Sequence, residues 1–116
     1  MKPALALLGL DERVLAIGQR AVECNIPLAG IWAPDHNQAL IASLRLGCCA
    51  FPEPREPLAQ ANRVLFSEGQ PDFPAGMQAL DVRCLQLEGR RVSGPNLDSA
   101  WCKWLIELGF EPVPAG

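Results

Sequence analysis

Two spacings of apolar residues take turns along this chain, one suited to a buried strand and the other to a one-sided helix. Ala4-Leu5-Ala6-Leu7-Leu8 is a continuous apolar run that stops at Gly9, and Asp11 just behind it carries a helix-capping side chain. That is a buried strand entering a turn. From Glu12 to Cys24, Val14, Leu15, Ile17, Ala21 and Val22 recur at helical spacing, while Glu12, Arg13, Gln19, Arg20 and Glu23 take the other side. The spacing predicts an amphipathic helix, ended by Asn25 and Pro27. Leu28–Ala33 reads as a second buried strand closed by Pro34, and Asp35 caps the helix after it. In that helix Leu40, Ile41 and Leu44 form the predicted apolar stripe, and Gly47 stands where a left-handed C-terminal residue is wanted.

The second half keeps the alternation with more interruptions. Cys48–Phe51 is expected as a short third strand, and Pro52, Pro54 and Pro57 stiffen the next segment into a connector, from which Pro57 could open a one-turn helix through Ala61. Arg63–Ser67 reads as a fourth strand, Glu68–Pro71 as the loop leaving it, and 75–80 as a short helix. Val82–Leu87 is the fifth strand, and Glu88–Pro95 a polar, glycine-containing loop. Asn96 or Asp98 caps a last helix with Trp101, Trp104, Leu105 and Leu108 on one face, ending at Gly109. Phe110–Val113 is an edge segment, since Pro112 lacks the donor a central strand needs.

Strands alternating with helices over short connections imply right-handed crossovers. The fold expected is a single Rossmann-like domain over 1–116, a three-layer α/β sandwich with a mostly parallel sheet of five or six strands. Ligands of such sheets sit outside the carboxyl ends of the strands, where the winding reverses, which singles out the loops beginning at Gly9, Ala33, Ser67 and Glu88.

Composition narrows the partners. The 116 residues suffice for one hydrophobic core, and with 49% hydrophobic and 20% charged residues the chain is of globular type. A net charge of -3 and no basic run beyond Arg90-Arg91 argue against nucleic acid and anionic membranes. The opening apolar run is short for a signal peptide, no small-residue cleavage site follows it, and no run is long enough to span a bilayer. A cytoplasmic location is expected. Cys24, Cys48, Cys49, Cys84 and Cys102 are odd in number and show no C-x-x-C spacing, which suggests buried free thiols instead of a disulfide framework or a metal site.

The loop residues give little support to catalysis. Gly9 keeps the first glycine of a G-x-G-x-x-G pattern, but Asp11 stands at the second position and Val14 at the third. The second glycine lets backbone approach a pyrophosphate, and a carboxylate there repels it. Trp32-Ala33-Pro34 ends the second strand where a ribose-binding acid is expected, with Asp35 coming later. His36, the lone histidine, sits beside Asp35 in a first helical turn, where a solvated side chain is the ordinary role. No serine lies in a nucleophile elbow. Candidate ligand-binding residues are Gly9, Asp11, Asp35, Ser67, Glu88 and Arg91; none is assigned as catalytic. Trp101 and Trp104, three apart on one helix, are either core or a contact face for a protein partner.

Two resemblances bear on this. The opening strand to Gly9, the segment Leu28–Asp35, and Arg91-Val92-Ser93-Gly94-Pro95-Asn96 with Trp101 after it resemble the N-terminal part of Rossmann-type formyltransferases, as in formyltransferase-like domains of nonribosomal peptide synthetases. That family carries an Asn and a His at the end of the strand matching Cys84–Glu88; here Gln86 or Leu87 and then Glu88 fill those places. The resemblance therefore implies a shortened, inactive relative. Residues 4–67 also resemble nucleotide-binding domains of NAD(P)-dependent oxidoreductases. The expectation is a noncatalytic domain without a cofactor, acting on a protein partner, a larger assembly or a small ligand, with a homodimer as one form. The alternative is a domain or subunit that binds NAD(P) or a folate.

Overall fold

The computed structural model describes residues 4–53, 55–67, 84–94, 97 and 99–114. The expected loop over 68–71, the helix over 75–80, residues Val82 and Arg83, and the caps Asn96 and Asp98 lie outside the described residues. Strand β1 (Leu5–Leu8) contains no polar side chain and is buried on both faces. Its alternate residues divide the core. Leu5 and Leu7 face Val14, Ile17 and Ala21, whereas Ala6 and Leu8 face Trp32, Ala61, Val64 and Phe66.

Helix α1 (Glu12–Glu23) covers the first of these faces, and β2 (Leu28–Trp32) returns parallel to β1. Helix α2 (His36–Leu46) follows on the same side and ends at Gly47, whose φ of 71° is the left-handed cap expected. Helix α3 (Arg55–Gln60) leads over the opposite face to β3 (Arg63–Ser67), which pairs with the other side of β1. The winding therefore reverses between β1 and β3. Beyond lie β4 (Cys84–Glu88), β5 (Arg91–Gly94), helix α4 (Ser99–Glu107) and β6 (Glu111–Pro114). Among the described residues the sheet has six strands in the order β2-β1-β3-β4-β5-β6, with only the β4/β5 pair antiparallel. This is the expected Rossmann-like α/β fold.

Several local expectations are corrected. The segment read as a loop from Glu88 is a hairpin: Gly89 at φ 58° and Arg90 turn the chain so that Glu88 pairs with Arg91 and Leu87 with Val92. Gly94 is required there, since a Cβ would stand 2.6 Å from the Cys84 carbonyl oxygen. The expected third strand reduces to one bridge between Ile31 and Ala50, and the helix expected from Pro57 through Ala61 is α3, which starts two residues earlier, at Arg55 within the proline-rich connector. In α2 the stripe of Leu40, Ile41 and Leu44 points to solvent, and Ala39, Ala42, Ser43 and Leu46 face inward. Among the five free cysteines, Cys84 is buried, Cys48 and Cys102 are half-buried, and Cys24 and Cys49 are exposed. Burial pushes the Cys48 thiol up to about 11, so it stays protonated at neutral pH.

Trp101 and Trp104 belong to the core. Their ring centroids lie 4.8 Å apart, both side chains are buried, and Arg63 lies over the Trp101 ring. Neither ring forms an exposed contact face.

The two ends of the sheet are finished differently. Outside β2, Ile31 donates its N–H to Cys49 O and accepts from Phe51 N–H. In β6, Glu111 donates to Arg90 O, so strand alternation turns Pro112 and Pro114, which have no N–H, toward the open side.

Candidate functional site

The carboxyl ends of β1, β2, β3 and β4 share one edge of the sheet, bringing Gly9, Ala33, Ser67 and Glu88 to the side where ligands of this fold bind. Gly9 makes the first turn with φ 99° and donates its N–H to Trp32 O at 2.8 Å. Asp11 then caps α1. Its Oδ1 accepts from the N–H groups of Arg13 at 2.8 Å and Val14 at 3.1 Å, two of the donors that the first helical turn leaves without a partner in the helix.

Arg13 encloses this carboxylate. Its Nε lies 3.2 Å from Oδ1 and its Nη2 2.5 Å from Oδ2, while Nη1 donates to Gly89 O at 2.7 Å. One guanidinium thus ties the first turn to the tip of the β4–β5 hairpin, 76 residues away. Partial burial pushes the Asp11 carboxyl up, but hydrogen bonds from Arg13 and the Val14 N–H, together with the guanidinium charge, outweigh it and hold the group below its ordinary range. Arg13 belonged by spacing to the polar side of α1. The sequence signal for the pair is an Arg two residues after a capping Asp, within reach of the same carboxylate.

Other candidates are distributed around this clasp. Asp35 caps α2, accepting from the Asn37 N–H at 3.0 Å, and His36 next to it is exposed. Ser67 is buried at the end of β3. Glu88 and Arg91 are both exposed and face each other across the hairpin. The first and second loops therefore use their acids to cap helices, and Arg13 joins the Asp11 carboxylate to the hairpin. Among the described residues, no group of three or more His, Cys, Asp or Glu could hold a metal ion, and no helix is long and apolar enough to cross a membrane.

A pyrophosphate does not fit this first turn as it stands. A dinucleotide would need the two N–H groups that Asp11 already holds, and Val14, at the third glycine position, is buried in the core.

The fold and this edge define a Rossmann-like domain whose first turn is closed by its own side chains. No family model and no curated protein matches the chain. Solved structures do. UDP-N-acetylglucosamine 3-dehydrogenase GnnA from Acidithiobacillus ferrooxidans is similar in two crystal forms, with TM-scores of 0.54 and 0.53 and identities of 18% and 17%. The similarity covers 94% of this chain and 35% of the dehydrogenase, so this chain spans about a third of that protein's length. At such identity the likeness is one of fold.

Proposed function

We propose that this chain is a noncatalytic Rossmann-type module that acts by binding a protein partner through the outward face of α2. The observation that carries the reading is the orientation of that helix. Leu40, Ile41 and Leu44 are exposed by 44%, 57% and 85%, on the side away from Ala39, Ala42, Ser43 and Leu46. A helix with its large aliphatic residues in water is poorly explained by the stability of its own domain.

The size of this face indicates the kind of partner. Three side chains supply on the order of a few hundred Å² at most, against roughly 800 Å² that each partner buries in a stable complex. A transient contact with a different protein suits it better than a permanent pairing of two copies. The loss of ordinary loop chemistry agrees, with Asp11 and Asp35 serving as helix caps. Ancestry in a formyltransferase-like domain stays part of the proposal on the sequence resemblance alone. The free cysteines suit a cytoplasmic setting.

The test uses an Ile41→Glu/Leu44→Glu double variant. Both chains are expected to sediment as monomers with similar stability, and a photo-crosslinker at position 44 should give one defined adduct in cells that Ile41→Glu removes and the purified partner reproduces. A dimer dissolved by the double variant would make the face one of self-association. Saturable stabilisation by NAD(H), NADP(H) or folates would sink the noncatalytic reading.

A second reading, an NAD(P)-binding domain or subunit of oxidoreductase type, is favoured by one observation: the similar solved structure described above, in both crystal forms, is a dehydrogenase.

A further inference from the structure

We infer that Asp11 is the main barrier to dinucleotides at this first turn, ahead of Val14, its carboxylate lying where the fold would otherwise place a ligand phosphate. The inference stands on the first turn alone and is independent of the α2 surface.

In a dinucleotide-binding turn, the second glycine lets the ligand's phosphates approach the backbone at the helix start, and the free N–H groups of the first helical turn receive them. Here the residue at that spacing is Asp11. Its Oδ1 holds the Arg13 and Val14 N–H groups at 2.8 and 3.1 Å, which are phosphate-type donor distances. The cation that could favour an incoming phosphate is engaged as well, since Arg13 grips both carboxylate oxygens and anchors to Gly89 O. A phosphate arriving at this turn meets a fixed negative charge, occupied donors and a neutralised guanidinium. The pattern is one of substitution: a covalently attached anion takes the role of a bound one.

This differs from simple loss of a glycine-rich loop. Replacing a glycine by a bulky neutral residue would block the approach sterically and leave the donors free; an aspartate also fills the donors and adds repulsion. The geometry therefore makes a prediction about one side chain. Asp11→Gly removes the carboxylate and the repulsion and restores the glycine that backbone approach requires. Asp11→Asn keeps a capping oxygen, and so the helix, while removing the charge.

The experiment is calorimetric titration of the wild-type chain and both variants with NAD+, NADP+ and inorganic pyrophosphate at low salt, with circular dichroism to establish that each is folded. Expected are no saturable binding to the wild type, at least a tenfold gain over it for Asp11→Gly, and a smaller gain for Asp11→Asn. If Asp11→Gly does not fold, a gain in Asp11→Asn still supports the inference, and no gain there overturns it. Folded variants that bind no better than the wild type also overturn it and leave the noncatalytic reading standing. Wild-type binding as tight as that of Asp11→Gly would overturn both.

Discussion

Helices α1 and α2 lie side by side on one face of the sheet and are built in opposite ways. The inward side of α1 carries Val14, Ile17, Gly18 and Ala21, and its outward side is largely charged and polar. The inward side of α2 is mostly small, with Ala39, Ala42 and Ser43 beside Leu46, and its outward side is aliphatic. The helices meet where α1 is narrowest: a Cβ on Gly18 would stand 3.0 Å from Leu7 Cδ1 and 3.1 Å from Leu46 Cδ1. Both helices join the same core, α1 through Val14, Ile17 and Ala21 and α2 through Ala42 and Leu46, but α2 keeps three larger side chains outside. Apolar character alone does not tell which side of a helix a fold buries.

Four measurements sharpen or break this contrast. The largest effect belongs to Ile17→Ala, which removes a fully buried α1 side chain and should lower stability by about 2–5 kcal/mol in urea unfolding. Next comes Ala42→Leu. It enlarges a buried inward position of α2 and should cost about 1–3 kcal/mol by overpacking; a neutral result would mean that α2 does not sit tightly on the sheet.

Third is the cap of α1. Asp11→Ala should cost about 1 kcal/mol, because two N–H groups lose their acceptor. Its pH dependence follows from the lowered carboxyl. A folded pKa below the unfolded one means that the stabilisation is fully present above about pH 4 and is lost as pH falls through the folded pKa. The gap between wild type and Asp11→Asn, followed by denaturant midpoints from pH 6 to pH 2, should narrow toward the acid end. The smallest effect is expected from Leu44→Glu, within about 0.5 kcal/mol of wild type. A loss above 2 kcal/mol would show that the stripe supports the domain and would remove the basis for a binding face.

Much of the architecture was legible in the residues. Unbroken apolar runs mark β1 and β2 as buried strands, and Asp35 and Gly47 mark the ends of α2 because capping chemistry is local. The facing of α2 was not legible, since Ala39 and Ala42 carry a weaker apolar signal than Leu40, Ile41 and Leu44 and the choice between two apolar sides is made by close packing. The β4–β5 hairpin is legible in part: Gly89 and Arg90 form a two-residue turn between Glu88 and Arg91, but the charges around them suggest an open loop. At the candidate site, the spacing of Asp11 suffices to mark it as a cap. The pairing of Arg13 with Asp11 is local and so legible, whereas its anchor at Gly89, 76 residues away, is not.

The prolines of β6 have a bearing on life in a crowded solution. Exposed aliphatic side chains raise the frequency of sticky collisions, and such encounters become irreversible most readily when backbone can zip onto backbone. Pro112 and Pro114 offer no donors on one flank, and on the other Cys49 and Phe51 already occupy Ile31. A strand approaching either flank therefore finds few free donors, at Ile31 or along the prolines of β6, and a chance contact through Leu40, Ile41 and Leu44 gains little reinforcement from the backbone.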